Sequence, residues 1–304
     1  MHLECETCGA SLNVSAEQRT ATCPYCASPA VIERPASVDR PNPTFTVAFS
    51  VSRAAAQAAV RGWLGSRGFF THGGLRTASI DGMRGVYVPA FLYSALSRSQ
   101  YQAEIGENYT ETETYVTIDS SGKPVTRTRT VTRTEYRRIQ GNHAAYILDV
   151  LVTASRGLSN EELEALEPFD FRALRRYSPA FLAGWIAEEP TRLPAECASL
   201  ARGEALEKTG LSLLAFMPGD SQRNLVHTTT LERETADLLH VPVWILAVRH
   251  DPKDPPLRVL VNGQTGKVIG RAPLSWVKIL LVVLGVIAVL ALVIVLVSLS
   301  SRSR

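Results

Sequence analysis

Hydrophobic positions along the chain fall into three regimes, and each predicts a different kind of element. Residues 279–299, ILLVVLGVIAVLALVIVLVSL, are apolar on every face of a helix, with only Ser298 clearly polar. At about 1.5 Å per residue such a run crosses a hydrocarbon core of about 30 Å, whereas buried helices of soluble domains rarely stay apolar all round for so long. It predicts a membrane anchor over 276–300, with Trp276 as an interfacial aromatic and Lys278 as a snorkelling cation. Arg302 and Arg304, in the short tail 301–304, would hold the far headgroups.

Between residues 45 and 275 the pattern switches between periods of 2 and 3.6. Residues 45–51 alternate like a strand, and Ser52 is placed to cap an Ala-rich helix reaching about Ser66, with Val60, Trp63 and Leu64 on its apolar side. Residues 85–105, GVYVPAFLYSALSRSQYQAEI, read as one or two long strands, with Pro89 and Ala90 marking an edge or bulge. A strand at 142–154, a short capped helix from Asn160, a helix at 194–209 and strands at 224–231, 241–249 and 257–261 follow. The last of these turns through Asn262 and Gly263 into 267–270 and leads to the anchor. Strands dominate and helices intersperse them, which predicts an α+β body.

The third regime is polar alternation. Residues 107–138, ENYTETETYVTIDSSGKPVTRTRTVTRTEYRR, predict a long hairpin with one acidic and one basic arm. A five-residue loop at 120–124 sets Asp119 against Val125, Glu111 opposite Arg133 and Glu107 opposite Arg137, and such cross-strand pairs fix the register of a polar ribbon. Arg127, Arg129, Arg133, Arg137 and Arg138 could instead form a finger for nucleic acid or anionic lipid, but the acidic arm cancels much of their field.

Candidate chemistry concentrates at the other end. Cys5 and Cys8, then Cys23 and Cys26, form two Cys-x-x-Cys knuckles fourteen residues apart, with Gly9 after the first pair and Pro24 inside the second. Two such knuckles aim four thiolates at one point, and an all-thiolate set with no open position predicts structural Zn²⁺ over catalytic zinc. Residues 1–33 therefore read as a zinc ribbon, and 34–44, RPASVDRPNPT, as a proline-rich linker to the body at 45–275. Cys197 stands apart and reads as a small buried residue.

Charge narrows the function. The chain is formally +3, but Lys278, Arg302 and Arg304 account for that excess, leaving 29 basic and 29 acidic side chains before the anchor. The ribbon is acidic, with Glu4, Glu6, Glu17 and Glu33 against Arg19, so it lacks the cations that displace phosphate counterions. The start, MHLECETCGASL, has neither the basic nor the apolar region of a signal peptide, which predicts that residues 1–275 stay in the cytosol. The six histidines form no His-Glu-x-x-His, and neither Gly-x-Ser-x-Gly nor Gly-x-Gly-x-x-Gly occurs, so no enzyme is predicted.

Several motifs carry a resemblance: the two cysteine knuckles, VYVPAFLY at 86–93, EPFD at 167–170, SPAFLAGWIAE at 178–188, VPVWIL at 241–246, VNGQTGKVIG at 261–270 and the apolar end. Their order resembles a family of bacterial zinc-ribbon, single-pass membrane proteins, often labelled by loose similarity to the zinc-binding part of primosomal protein N prime, the replication-restart helicase. A helicase is not implied, because Gly266-Lys267 has Val261 where a phosphate loop needs its first glycine and Val268 where it needs a hydroxyl. The resemblance implies a membrane-bound accessory protein, with some relatives linked to phage-shock and flotillin-like membrane-stress systems. The charged hairpin matches nothing in that family. The resulting expectation is a scaffold or adaptor that docks protein partners at the cytosolic face of the cell membrane. Its rivals are a membrane-tethered nucleic-acid-binding factor and an enzyme with an unrecognised site.

Overall fold

The structure, a computed structural model, describes residues 2–13, 23–25, 31–34, 42–118, 120, 122–182, 184–251 and 256–302. In chain order its elements are β1 (His2–Cys5), β2 (Ser11–Asn13), β3 (Val31–Arg34), β4 (Phe45–Thr46), α1 (Arg53–Gly65), β5 (Ser79–Ile118) and β6 (Pro124–Thr153). There follow α2 (Asn160–Leu166), β7 (Arg175–Arg176), β8 (Ile186–Glu189), α3 (Pro194–Phe216), β9 (Ser221–Arg249), β10 (Leu257–Asn262), β11 (Val268–Gly270) and α4 (Trp276–Arg302). The chain is mixed α+β and rich in strand. Its residues group into two compact units, and β5, β6 and β9 contribute to both.

The first unit comprises Met1–Phe91, Val152–Pro194 and Asp237–Arg304. Its sheet runs β3-β1-β2-β8-β5-β9-β10-β11, with β4 parallel to β9 and antiparallel to β7. The N-terminal strands β1–β3 belong to this same sheet: β2 pairs antiparallel with β8, placing Leu12 opposite Glu188, and β8 runs parallel to β5. A linker suggests independent modules, but an unpaired β2 edge would leave backbone groups without partners, and β8 satisfies them. Most of the proline-rich linker, 35–41, lies outside the described residues.

Helix α1 forms where the pattern places it. Ser52 accepts from Ala55 N, and Ala56, Val60 and Leu64 are buried at four-residue spacing. They pack on Trp244, Leu246, Val259 and Val261 of β9 and β10. Beside this core Phe49 stacks on Trp185 at 4.0 Å and meets Tyr87 and Trp244 edge-on. Gly85 makes the packing possible, since a Cβ there would lie 2.3 Å from the Trp185 ring. The strand expected over 45–51 is cut short: β4 ends at Thr46, Val47 N still bonds His240 O of β9 at 2.9 Å, and Ser50 N and Val51 N then bond Gly263 O.

Two of the sequence motifs clasp each other. Asn262, fully buried, donates to Leu166 O and Pro168 O, each at 3.0 Å, and its Oδ1 accepts from Gln264 N and Thr265 N. Gln264 bonds both backbone groups of Asp170. EPFD and VNGQTG are therefore two halves of one structural turn, closed by Gly266 at φ 80°.

The second unit comprises Leu92–Leu151 and Ala195–Ala236. Helix α3 buries Cys197, Ala201, Ala205, Thr209 and Leu213, a stripe at four-residue spacing. It runs beyond the expected end at 209 to Phe216, and Cys197 sits on the buried face. Tyr93 and Arg202 both bond Glu234, and Ser99 bonds Thr229. Along paired β5 and β6, Glu107 binds Arg137 at 2.8 Å and Glu111 binds Arg133 at 2.7 Å, the two pairings that charge alternation specifies. Asp119 lies outside the described residues.

Helix α4 is long and apolar enough to cross a membrane over Trp276–Ile294, and none of that stretch is buried. A core helix of a soluble fold would be covered; this one is not.

Candidate metal centre

The turn after β1 sets the first knuckle. Gly9, at φ 72°, lets the chain reverse so that Gly9 N donates to Cys5 O at 2.8 Å and Cys5 N to Ala10 O at 2.9 Å. Cys5 and Cys23 are buried and Cys8 is half-buried. The three sulfurs lie within 4.8 Å of one another, with Cys8 and Cys23 Sγ 3.6 Å apart. Sharing a hydrogen bond with Cys23, and then burial, pushes the Cys8 thiol well above its ordinary range. Three convergent soft donors suit a thiophilic metal ion and form the one such cluster among the described residues. Cys26, the fourth sequence candidate, lies outside them.

A polar network that the sequence did not announce lies next to the cluster. Tyr25, two residues after Cys23, is buried and donates its hydroxyl to Glu188 on β8. Ser155 Oγ donates to the other carboxylate oxygen at 2.6 Å and accepts from Gly157 N and Leu158 N. Gly157 leaves room for the Tyr25 ring, which a Cβ would meet at 3.1 Å. Arg258 on β10 then ties Gly157 O, at 2.7 Å, to Glu162 of α2. Glu162 also completes a capping box with Ser159. A continuous chain of contacts therefore joins the cysteine cluster to α2 and β10.

Burial dominates the electrostatics of this network. It pushes Glu188 up to about 8, despite the hydrogen bonds from Ser155 and Tyr25 that favour the carboxylate. Burial, then the neighbouring Glu188, pushes the Tyr25 phenol up as well. His240, buried nearby on β9, is pushed down to about 4 by burial and stays neutral; its Nδ1 has no hydrogen-bond partner among the described residues. A cavity of about 590 Å³ opens on α2, β10 and β11, lined by Glu161, Glu162, Arg258 and Arg271 among others. Glu162 there is committed to Arg258 and the α2 cap, so it is not a free acid or base.

Of these residues, Glu188 has the only legible signal: it is the first of two acids directly after the apolar stretch GWIA. Tyr25 has none beyond its place between two cysteines.

Fold and site together define a strand-rich α+β protein with a thiol cluster built into its sheet edge and a helix fit to span a membrane. The chain is similar to the uncharacterized protein YdjG of Bacillus subtilis (strain 168), with 27% identity over 242 residues. The match covers 78% of this chain and 65% of the relative, so the chain spans less than two thirds of that protein. No family model matches, and no solved structure matches.

Proposed function

We propose that the chain is a membrane-anchored zinc-ribbon scaffold that docks protein partners at the cytosolic face of the cell membrane, within a membrane-stress response. The observation that carries this reading is α4, whose nineteen residues Trp276–Ile294 carry one charge, Lys278, and contain no buried residue. In the cytosolic orientation the 29 basic and 29 acidic side chains ahead of it face the cytoplasm. Cys5, Cys8 and Cys23, with Cys26 as fourth ligand, hold one Zn²⁺ in a structural role; the metal holds the knuckles while the β2–β8 pairing fixes them to the body. The protein is not an enzyme in this reading; in the cavity on α2, β10 and β11 the Glu162 carboxylate is tied up by Arg258 and the α2 cap.

Protein is favoured over nucleic acid as the partner. Arg129, Arg133, Arg137 and Arg138 each meet a glutamate, which weakens any phosphate-binding stripe. Helix α3 also leaves Leu206, Leu211, Leu214 and Phe216 exposed, a surface suited to protein contact. The test is binding of the full chain in detergent to duplex and single-stranded nucleic acid. Dissociation constants of about 10⁻⁴ M or weaker at physiological salt fit the scaffold. Submicromolar, steeply salt-dependent binding, lost when Arg127, Arg129 and Arg133 become Ala, would make it a nucleic-acid factor.

A further inference from the structure

The loop between α1 and β5 is pinned to the first turn of α4. Ser275 N donates to Phe70 O at 2.8 Å, His72 N donates to Pro273 O at 3.0 Å, and Thr71 bridges Leu274. Lys278 completes the join: its ammonium donates to Phe69 O at 3.1 Å and Thr71 O at 3.0 Å and lies 5.3 Å from the Phe69 ring centre. Lys278 is thus folded back onto the loop, which satisfies its charge where the apolar helix begins. The loop's two aromatic rings stay largely open. Phe69 is 65% exposed and Phe70 43%, and the two rings meet edge-on at 5.6 Å.

We propose that Phe69 and Phe70 are a second membrane contact, seated in the headgroup–acyl boundary of the bilayer that α4 spans. The inference rests on the reading of α4 as a span and adds a surface to it. Leu274, Trp276 and Val277 are exposed beside the two phenylalanines, so one apolar patch continues from the loop onto the helix. Backbone hydrogen bonds hold the loop level with Trp276, where amphipathic aromatics concentrate at a membrane–water interface. Charge agrees: residues 45–80 contain Arg53, Arg61, Arg67 and Arg76 and no carboxylate, and Arg271 is exposed. Cations around an apolar wedge match an anionic lipid surface. Two-point attachment would hold the first unit in a fixed attitude on the membrane, where a single helix after a flexible joint would let it swing.

The experiment places the photocrosslinking amino acid 4-benzoylphenylalanine at Phe69 or at Ile287, in full chain reconstituted into phosphatidylcholine–phosphatidylglycerol vesicles. Both substitutions are at exposed positions and leave the core untouched. Lipid adducts at both positions are the expected result. Adducts at Ile287, with none or only protein adducts at Phe69, would overturn the second contact and leave the span intact. No lipid adducts at Ile287 would remove the span and the inference that rests on it. Adducts at Phe69 alone would turn the loop into a peripheral contact and also overturn the two-point attachment.

Discussion

Replacing Glu188 by Gln should change how stability depends on pH. The Glu188 carboxyl is buried between Tyr25 and Ser155, and burial pushes it from the ordinary 4.5 up to about 8. Between those values the folded chain keeps a proton that the unfolded chain releases. The native state therefore binds more protons, and stability falls as pH rises through the window. The residue's contribution is intact below about 4.5 and is lost by about 8. The slope approaches about 1.4 kcal/mol per pH unit and sums to about 5 kcal/mol, as an order of magnitude. Glu188→Gln preserves volume and an acceptor, cannot ionise, and should remove this slope. Melting curves of both full chains in detergent, between about pH 5 and about pH 8, give the comparison. Protonation of metal-binding thiolates affects both proteins alike, so their difference isolates Glu188. That difference should drift by about 2–6 °C per pH unit, with the wild type losing ground as pH rises. Parallel pH profiles would refute a buried, proton-holding Glu188.

Other residues give further tests. Full chain purified without chelator should carry one zinc by metal analysis, and Cys5→Ser should lose it and also loosen β8, seen as faster hydrogen exchange at 186–189, because β2 pairs with that strand. Cysteines recovered as disulfides would contradict this. Gly85→Ala should destabilise the fold by about 1–3 kcal/mol and shift tryptophan emission, because its Cβ would press on Trp185 and Trp244; an unchanged melt would show that the rings move freely. Protease should digest residues 1–275 in inverted membrane vesicles and spare them in intact cells, and the opposite pattern would reverse the orientation.

Local signals made some of this structure readable and left the rest hidden. Ser52 before an alanine run, the turn at 262–266 and the facing charges Glu111 and Arg133 act over a few residues or one strand pair, and the structure has each of them. Length was harder to read. β5 runs unbroken from Ser79 to Ile118 although Gly85 and Pro89 punctuate its pattern, since Gly85 serves the Trp185 ring and Pro89 still offers its carbonyl, to Ala154 N. β9 likewise joins what read as two strands, its outer half being mostly exposed and so lacking a core-facing alternation. Two knuckles specify three clustered thiols, but the docking of β2 on β8 and the burial of Glu188 depend on pairing across more than 170 residues, which no local pattern encodes.

The proposed scaffold requires the ribbon, held at the membrane, to capture a protein. A photocrosslinker at the exposed Glu6, in full chain expressed in its native membranes, tests this most directly. The expected result is a discrete protein adduct that disappears in Cys5→Ser while the variant stays in the membrane fraction. Adducts to nucleic acid, or a protein adduct that survives loss of the ribbon's metal, would contradict it.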